Sequence, residues 1–285
     1  MGGLFYAADN LPRTIHSTVS EILELPACIE AGIGENERVV FFSDAHLGSG
    51  NDHDSRARTE RVCAFLDSLP GRAEVLVILG DLFDFYFEFR NVVPARHLRV
   101  LACLEALTRS GVRCYYVAGN HDFWLGDLFT TTLGITVAPD GLLMERAGEG
   151  GCTVLAAHGD GLGEGDKGYK IFKTLLRNRA LIAMFRLIHP DRGYALANLT
   201  SRTSRKHTSK RQDARIEASA DVAHSLLDSN DKLDTVILSH THHPDDRRFS
   251  SGRYLNTGDW CTHFSLVRWN NADNFEMDYF NEPGR

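Results

Sequence analysis

Long apolar runs are missing from this chain of 285 residues. No uninterrupted stretch approaches the roughly 18 residues that cross a bilayer, so no membrane-spanning helix is expected. A basic segment followed by an apolar core is also missing at the N-terminus, which makes the cytoplasm the expected compartment. Cys28, Cys63, Cys103, Cys114, Cys152 and Cys261 stand apart, none of them in a CxxC pair. Several lie in apolar runs, and they read as reduced core residues and not as a disulfide framework. Tandem repeats, low-complexity tracts and linker-like stretches are absent, so no solenoid or string of independent domains is expected.

What is present is a hydrophobic content of 43%, enough to fill the core of one large α/β domain or two smaller ones. The net charge of -7 conceals an asymmetry: residues 164–215 carry +9, which leaves -16 for the remainder. A basic module within an acidic body suits a partner bearing phosphates, whether nucleotide, nucleic acid or anionic lipid. A solvated helix face would give the same pattern. Its position between two predicted strands makes it an insertion over whatever site those strands build.

Ile15, Val19, Ile22 and Leu23 recur at helical spacing, which predicts a short amphipathic helix in an N-terminal extension, residues 1–37. The main domain is expected over 38–285. Within it, five apolar runs of strand character each empty into metal-binding chemistry. Residues 38–43 lead to Asp44-x-His46, two positions apart and so on one face of an extended backbone. Residues 75–79 lead to Gly80-Asp81, and residues 112–116 lead towards Gly119-Asn120-His121-Asp122. Residues 153–157 lead to His158-Gly159-Asp160, and residues 235–239 to His240-x-His242. Glycine at 119 is expected to let the backbone turn tightly enough to aim Asn120 into a shared site. Helices are predicted over 61–69 and 94–110, closing strands over 254–260 and 263–269, and a polar surface loop at Asp52-His53-Asp54. Asp84 reads as a local hydrogen-bond partner, and the aromatic stretch 83–89 as core, rim or cleft lining.

The candidate ligands are Asp44, His46, Asp81, Asn120, His158, His240 and His242, all oxygen or imidazole-nitrogen donors. This mixture suits Mn²⁺, Fe²⁺, Zn²⁺ or Co²⁺ with five or six ligands, not a structural zinc site. Seven side chains are too many for one ion. With Asp81 bridging, Asp44, His46, Asp81 and His242 fall to one ion, and Asp81, Asn120, His158 and His240 to the other. Two divalent ions against two carboxylates leave a surplus near +2, which attracts a phosphate. A water shared by ions roughly 3.5 to 4 Å apart would lose a proton near neutral pH and attack phosphorus in line. His121 then serves catalysis by hydrogen-bonding a phosphoryl or leaving oxygen, and Asp122 either orients His121 or stabilises the turn.

In order and type these blocks resemble the calcineurin-like metallophosphoesterases over about 200 residues. The resemblance implies an α/β fold, a four-layer α/β/β/α sandwich with the dimetal centre at the strand ends. A narrower resemblance rests on residues 158–162, 166–172, 177–179 and 256–260. It is to the UDP-2,3-diacylglucosamine pyrophosphatases, which cleave a nucleotide-lipid diphosphate to lipid X and UMP at the cytoplasmic face of the inner membrane. It implies two Mn²⁺ ions and a helical lid at about 164–215. Substrate contacts are then expected from Asn120, His121, Asp166, Tyr169, Arg179, Arg205, Lys206, Ser209 and Lys210. Leu181, Met184, Phe185 and Ile188 share one predicted helical face that Pro190 ends, which suits acyl chains beside phosphates. A helix merely packed on the body would show the same face.

The chain departs from the family pattern in three places. His121 stands where many members have Arg, His243 follows His242 where Arg is frequent, and residues 1–37 precede the pattern. Rival readings are a broader phosphodiesterase or nuclease with a basic grip, and a non-catalytic scaffold. The apolar lid face opposes the first and the complete ligand set opposes the second.

Overall fold

The computed structural model describes residues 28–148, 151–161, 178–195, 212–271 and 273–281. Its strands are β1 (Cys28–Ile33), β2 (Val39–Phe42), β3 (Val75–Leu79), β4 (Arg113–Val117), β5 (Ile135–Ala138) and β6 (Gly141–Arg146). They continue as β7 (Thr153–Ala156), β8 (Thr235–Leu238), β9 (Pro244–Phe249), β10 (Gly252–Thr257), β11 (Ser265–Asn271) and β12 (Asn274–Tyr279). One sheet runs β12-β11-β2-β3-β4-β5, with β2 to β5 parallel; the other runs β1-β6-β7-β8-β10-β9, with β7, β8 and β10 parallel.

Parallel strands must be covered on both faces, which is why β2 and β3 are apolar at every position. Alternation sends Val39, Phe41, Val75, Val77 and Leu79 inward, against Leu142, Met144, Val154, Ala156 and Ile237 of the second sheet. It sends Val40, Phe42 and Ile78 outward, against Val62, Phe65 and Leu66 of α1 (Asp52–Asp67) and Val100, Leu104 and Leu107 of α2 (Leu98–Arg109). On the far side, α4 (Gln212–Asp228) lays Ala220, Ala223 and Leu227 on Leu155, Val236 and Tyr254. Each fully buried Val, Leu or Phe contributes about 2 kcal/mol. The result is a four-layer α/β/β/α sandwich in which the parallel strands of each sheet deliver their C-terminal ends to one edge.

Several local expectations change. Cys28–Ile33 pairs in parallel with β6 as an edge strand, so the sheet takes in residues that had been expected in the N-terminal extension. The helix predicted over 15–23 lies outside the described residues. α1 starts at Asp52 and not at residue 61, because the Asn51 side chain accepts from Asp54 N and caps the helix. Asp52 and Asp54 sit in its first turn, where the helix dipole favours acids. They are exposed, as expected, but on a helix and not a loop. β9 carries four charged residues and could not be read from apolar alternation; it is an edge strand, pinned to β10 by Asp246 and Arg253.

Within the predicted lid, α3 (Arg179–Phe185) is capped by the Asn178 side chain and ends five residues before Pro190. Pro190 opens the next helical turn, a position where its missing N–H is harmless. The continuous face from Leu181 to Ile188 is therefore broken by a turn at 186–189, closed by Leu187 N to Met184 O and Ile188 N to Phe185 O. Phe185 packs on Phe87 at 4.6 Å and Trp124 at 5.1 Å between ring centroids, while Met184 and Leu187 are exposed.

Candidate metal centre

The strands stop before the ligands begin, and the backbone then turns left-handed. Asp44, His46, Asp81, His240 and His242 have φ between 43° and 68°, a region that costs a non-glycine residue roughly 1–2 kcal/mol. The expectation that Asp44 and His46 share a face of an extended strand is thus replaced by two αL residues flanking Ala45. Two loops hold them, with Asp44 N donating to Gly80 O at 3.1 Å and His46 N to Asp81 O at 2.9 Å. Sidedness comes from this clip and not from strand alternation.

Two glycines let the clipped loops approach. A Cβ on Gly80 would lie 2.7 Å from both Gly119 Cα and His158 Nδ1, and one on Gly119 would lie 2.2 Å from Asp81 Oδ1. Gly119 was expected to supply a tight turn; its φ is not in the left-handed region, and what it supplies is room for the Asp81 carboxylate.

All seven candidate ligands come together in two clusters. Asp44, His46 and His242 offer donor atoms within 4.8 Å of one another, and so do Asp81, His158 and His240. In the first, His46 Nε2 lies 3.2 Å from His242 Nε2, and Asp44 Oδ1 lies 3.4 Å from His242 Nε2. In the second, His158 Nε2 lies 3.1 Å from Asn120 Oδ1 and 3.2 Å from His240 Nδ1. Asp81 Oδ2 stands between them, 3.8 Å from His46 Nε2 and 3.4 Å from His158 Nε2. His46, Asp84 and His121 form a third grouping that shares His46.

These residues fit divalent cations. Asp44 Oδ1 is fully buried and has no hydrogen-bond partner among the described residues, yet it faces two imidazoles. A buried carboxylate oxygen left so would cost several kcal/mol without a positive charge nearby. Burial lowers His240 to about 3, with His158 and Arg215 adding to it, so its imidazole is neutral and has a lone pair to give. Burial alone would raise Asp81, but His158 and His121 outweigh it and hold the carboxyl well below its usual range. His158 is pushed up to about 10, burial opposing and Asp81 prevailing. The carboxylate field that makes His158 hold a proton would favour a cation in the same place.

A second layer of contacts fixes the imidazoles, as ligand histidines require. His158 Nδ1 lies 2.8 Å from Leu79 O and 2.9 Å from Ser239 Oγ. His242 Nδ1 lies 3.6 Å from Asp259, and His240 Nε2 lies 2.7 Å from an Arg215 guanidinium nitrogen. Ser239, Asp259 and Arg215 were not among the predicted site residues. Asp259 belongs to the stretch 256–260 already singled out, so a carboxylate beside a closing strand was the available signal. Arg215 was marked only as the last charge of the basic segment 164–215; its place beside His240 is set by where α4 begins.

His121 and Asp122 separate. The His121 backbone N–H donates to Asp81 Oδ1 at 2.9 Å, and its ring Nδ1 lies 2.7 Å from Asp84 O, which assigns the proton to Nδ1 and leaves Nε2 as the other pole. Asp122, expected as an alternative to orient His121, takes the turn-stabilising role. Its carboxylate accepts from the backbone N–H groups of Gly119, Asp81 and Phe83 and from Tyr116 Oη, all buried. It is Asp84, through its carbonyl, that orients His121. Of the predicted lid contacts, Arg179 heads α3, and Asp166, Tyr169, Arg205, Lys206, Ser209 and Lys210 lie outside the described residues.

The profile of the calcineurin-like phosphoesterases matches residues 37–244. The chain belongs to that family, whose members are metal-dependent phosphate hydrolases, and the matched stretch contains every candidate ligand. A UDP-2,3-diacylglucosamine hydrolase from Porphyromonas gingivalis is 31% identical over 248 residues, 81% of this chain and 94% of that protein. One from Stenotrophomonas maltophilia is 32% identical over 239 residues, covering 80% and 93%. One from Escherichia coli O6:H1 is 28% identical over 245 residues, covering 85% and 98%. Among solved structures, a dimetal phosphatase from Danio rerio aligns over 87% of this chain and 100% of its own, with a TM-score of 0.45 and 12% identity.

Proposed function

We propose that the chain hydrolyses the diphosphate of UDP-2,3-diacylglucosamine to UMP and lipid X, using two Mn²⁺ ions held by the seven ligands. The observation that carries this reading is the pair of adjacent donor clusters, with Asp81 Oδ2 3.4 Å from His158 Nε2 in one and 3.8 Å from His46 Nε2 in the other, in a chain 31% identical to a hydrolase named for that substrate. Two divalent ions would activate water and neutralise charge on the phosphate. The protein's own residues do the rest. Asn120 and His121 meet the phosphoryl oxygens, His121 through Nε2 because Nδ1 is committed to Asp84 O. Burial of Asp44, Asp81 and His158 keeps bulk water from competing for their donor atoms.

The basic segment 164–215 acts as the lid, with Arg179, Asp166, Tyr169, Arg205, Lys206, Ser209 and Lys210 around the substrate. No helix among the described residues is long and apolar enough to cross a membrane. Met184 and Leu187, 63% and 87% exposed, support a peripheral placement on the cytoplasmic face of the inner membrane, where acyl chains are presented. Phosphorus NMR of products from nucleotide-lipid, nucleotide and single-stranded DNA substrates tests this. UMP and lipid X from UDP-2,3-diacylglucosamine are expected; cleavage of DNA with the nucleotide lipid left intact would replace the reading with a nuclease.

A further inference from the structure

α1 turns two side chains towards the first ligand loop, Ser55 and Arg58, three positions apart and so on one side of the helix. Ser55 Oγ accepts from Gly48 N at 3.1 Å. Arg58 Nη1 lies 3.1 Å from Ala45 O, 3.0 Å from His46 O and 2.7 Å from Ser49 Oγ. Nη1 carries two hydrogens for these three acceptors, so one N–H is shared. The acceptors are two backbone carbonyls and a hydroxyl, none of them a carboxylate. The guanidinium therefore meets this loop as a directional donor and not as half of an ion pair.

The backbone bonds of Asp44, Ala45 and His46 divide by direction. The N–H groups of Asp44 and His46 go to Gly80 O and Asp81 O in the loop after β3. The carbonyls go elsewhere: Asp44 O accepts from Trp260 N at 3.1 Å, and Ala45 O and His46 O accept from Arg58. His46 O also accepts from Ser49 N at 3.0 Å. The loop after β3 thus grips the donors of this stretch, and Arg58 grips its acceptors. Asp44 and His46 are left-handed, at φ 53° and 43°, and a left-handed residue relaxes once one of its two peptide planes is released.

We propose that Arg58 is a positioning residue of the metal centre. It keeps the backbone of Asp44 to His46 left-handed, so that Asp44 Oδ1 and His46 Nε2 stay aimed at the cation they share with His242. This rests on the metal centre of the reading above, not on its substrate, and goes beyond it by adding a residue outside the seven ligands. In these hydrogen bonds Arg58 meets the carbonyl of His46 and not its imidazole, so it acts on the ion only through the ligand it holds.

The test is calorimetric titration of the metal-free full chain with Mn²⁺ alone, where the unmodified protein is expected to show two sites. Arg58→Met keeps the reach of the side chain and removes its donors. It should weaken one site about 10- to 100-fold, the range for losing an outer contact of a metal ligand, and leave the other within about three-fold. Arg58→Lys should show a smaller loss at the same site, since an ammonium can still meet a carbonyl. Leu66→Ala, about two turns further along α1 and buried in the core, should lower the urea midpoint and leave both affinities unchanged. Amide hydrogen exchange in metal-free Arg58→Met should quicken over residues 44–49 and not over the strands. The assignment is overturned if neither Arg58 variant weakens a site, or if Leu66→Ala weakens the sites as much. It also falls, together with the metal centre, if the unmodified protein takes up no Mn²⁺. An Arg58-dependent Mn²⁺ affinity in a protein that leaves UDP-2,3-diacylglucosamine intact would remove the substrate and keep Arg58 in its role.

Discussion

Two neighbours in the chain, His121 and Asp122, divide chemistry from architecture. His121 is partly exposed, and its ring is aimed by Asp84 O. His121→Ala should lower kcat by about 10²- to 10⁴-fold, the usual range for a positioned acid or hydrogen-bond donor, with the urea midpoint nearly unchanged. Asp122→Ala should do the reverse to stability: it strands three buried N–H groups and the Tyr116 hydroxyl, for a loss of about 3 kcal/mol or more. Equal stability of the two variants would refute this division. Asp259 supplies a prediction in pH. Burial alone would raise it, but hydrogen bonds with His242 and from the backbone of His263 and Thr262 lower it to about 2. A depressed carboxyl stabilises the fold above its unfolded value and loses that contribution as pH falls. The protein should therefore lose about 2 kcal/mol between pH 4 and 2 through this residue, and Asp259→Asn should flatten that part of the acid denaturation curve.

At the level of elements, the loops after β2 and β3 form one clip, and the loop after β4 closes on it through Gly80 and Gly119. The clip holds three left-handed ligand residues, Asp44, His46 and Asp81, that neither loop would hold in isolation. Gly80→Ala meets both a left-handed φ of +80° and a Cβ 2.7 Å from Gly119 Cα and His158 Nδ1. It should cost about 3 kcal/mol or more by chemical denaturation and most of the turnover, because backbone must move and His158 with it. Wild-type turnover in that variant would mean the loops can separate without disturbing the ligands. α3 is bound differently, by Phe185 seated among Phe87 and Trp124, with Met184 and Leu187 left outward. A seven-residue helix has little stability of its own, so its aromatic anchor decides where it lies.

For the molecule as a whole, two sheets are pressed together by a shared apolar core, and the centre draws ligands from both. A cation bound there would bridge the sheets and stabilise the folded state by mass action. At a hundred-fold excess over its dissociation constant, each site adds about 2.7 kcal/mol. Removing metal with a chelator should lower Tm by several degrees and abolish hydrolysis, and Mn²⁺ should restore both. A melting curve indifferent to chelator and to added Mn²⁺ would show that the clusters hold no cation.

Local pattern carried far. The apolar strand cores, their sheet-edge exits and the ligand types in order were legible because burial on both faces and donor chemistry are written in consecutive residues. The sequence by itself determined that seven oxygen and nitrogen donors follow five strands. The sequence also led to Asp81 as the residue between the two ligand sets, while only the tertiary structure decided that Asp122 serves the turn and that Cys28–Ile33 completes a sheet. It also decided which nitrogen of His240 faces the centre and that Arg215 faces the other. These outcomes depend on contacts between residues as far apart as Asp44 and His240, 196 positions in the chain. Packing of two sheets sets such distances, and no window of neighbouring residues contains them.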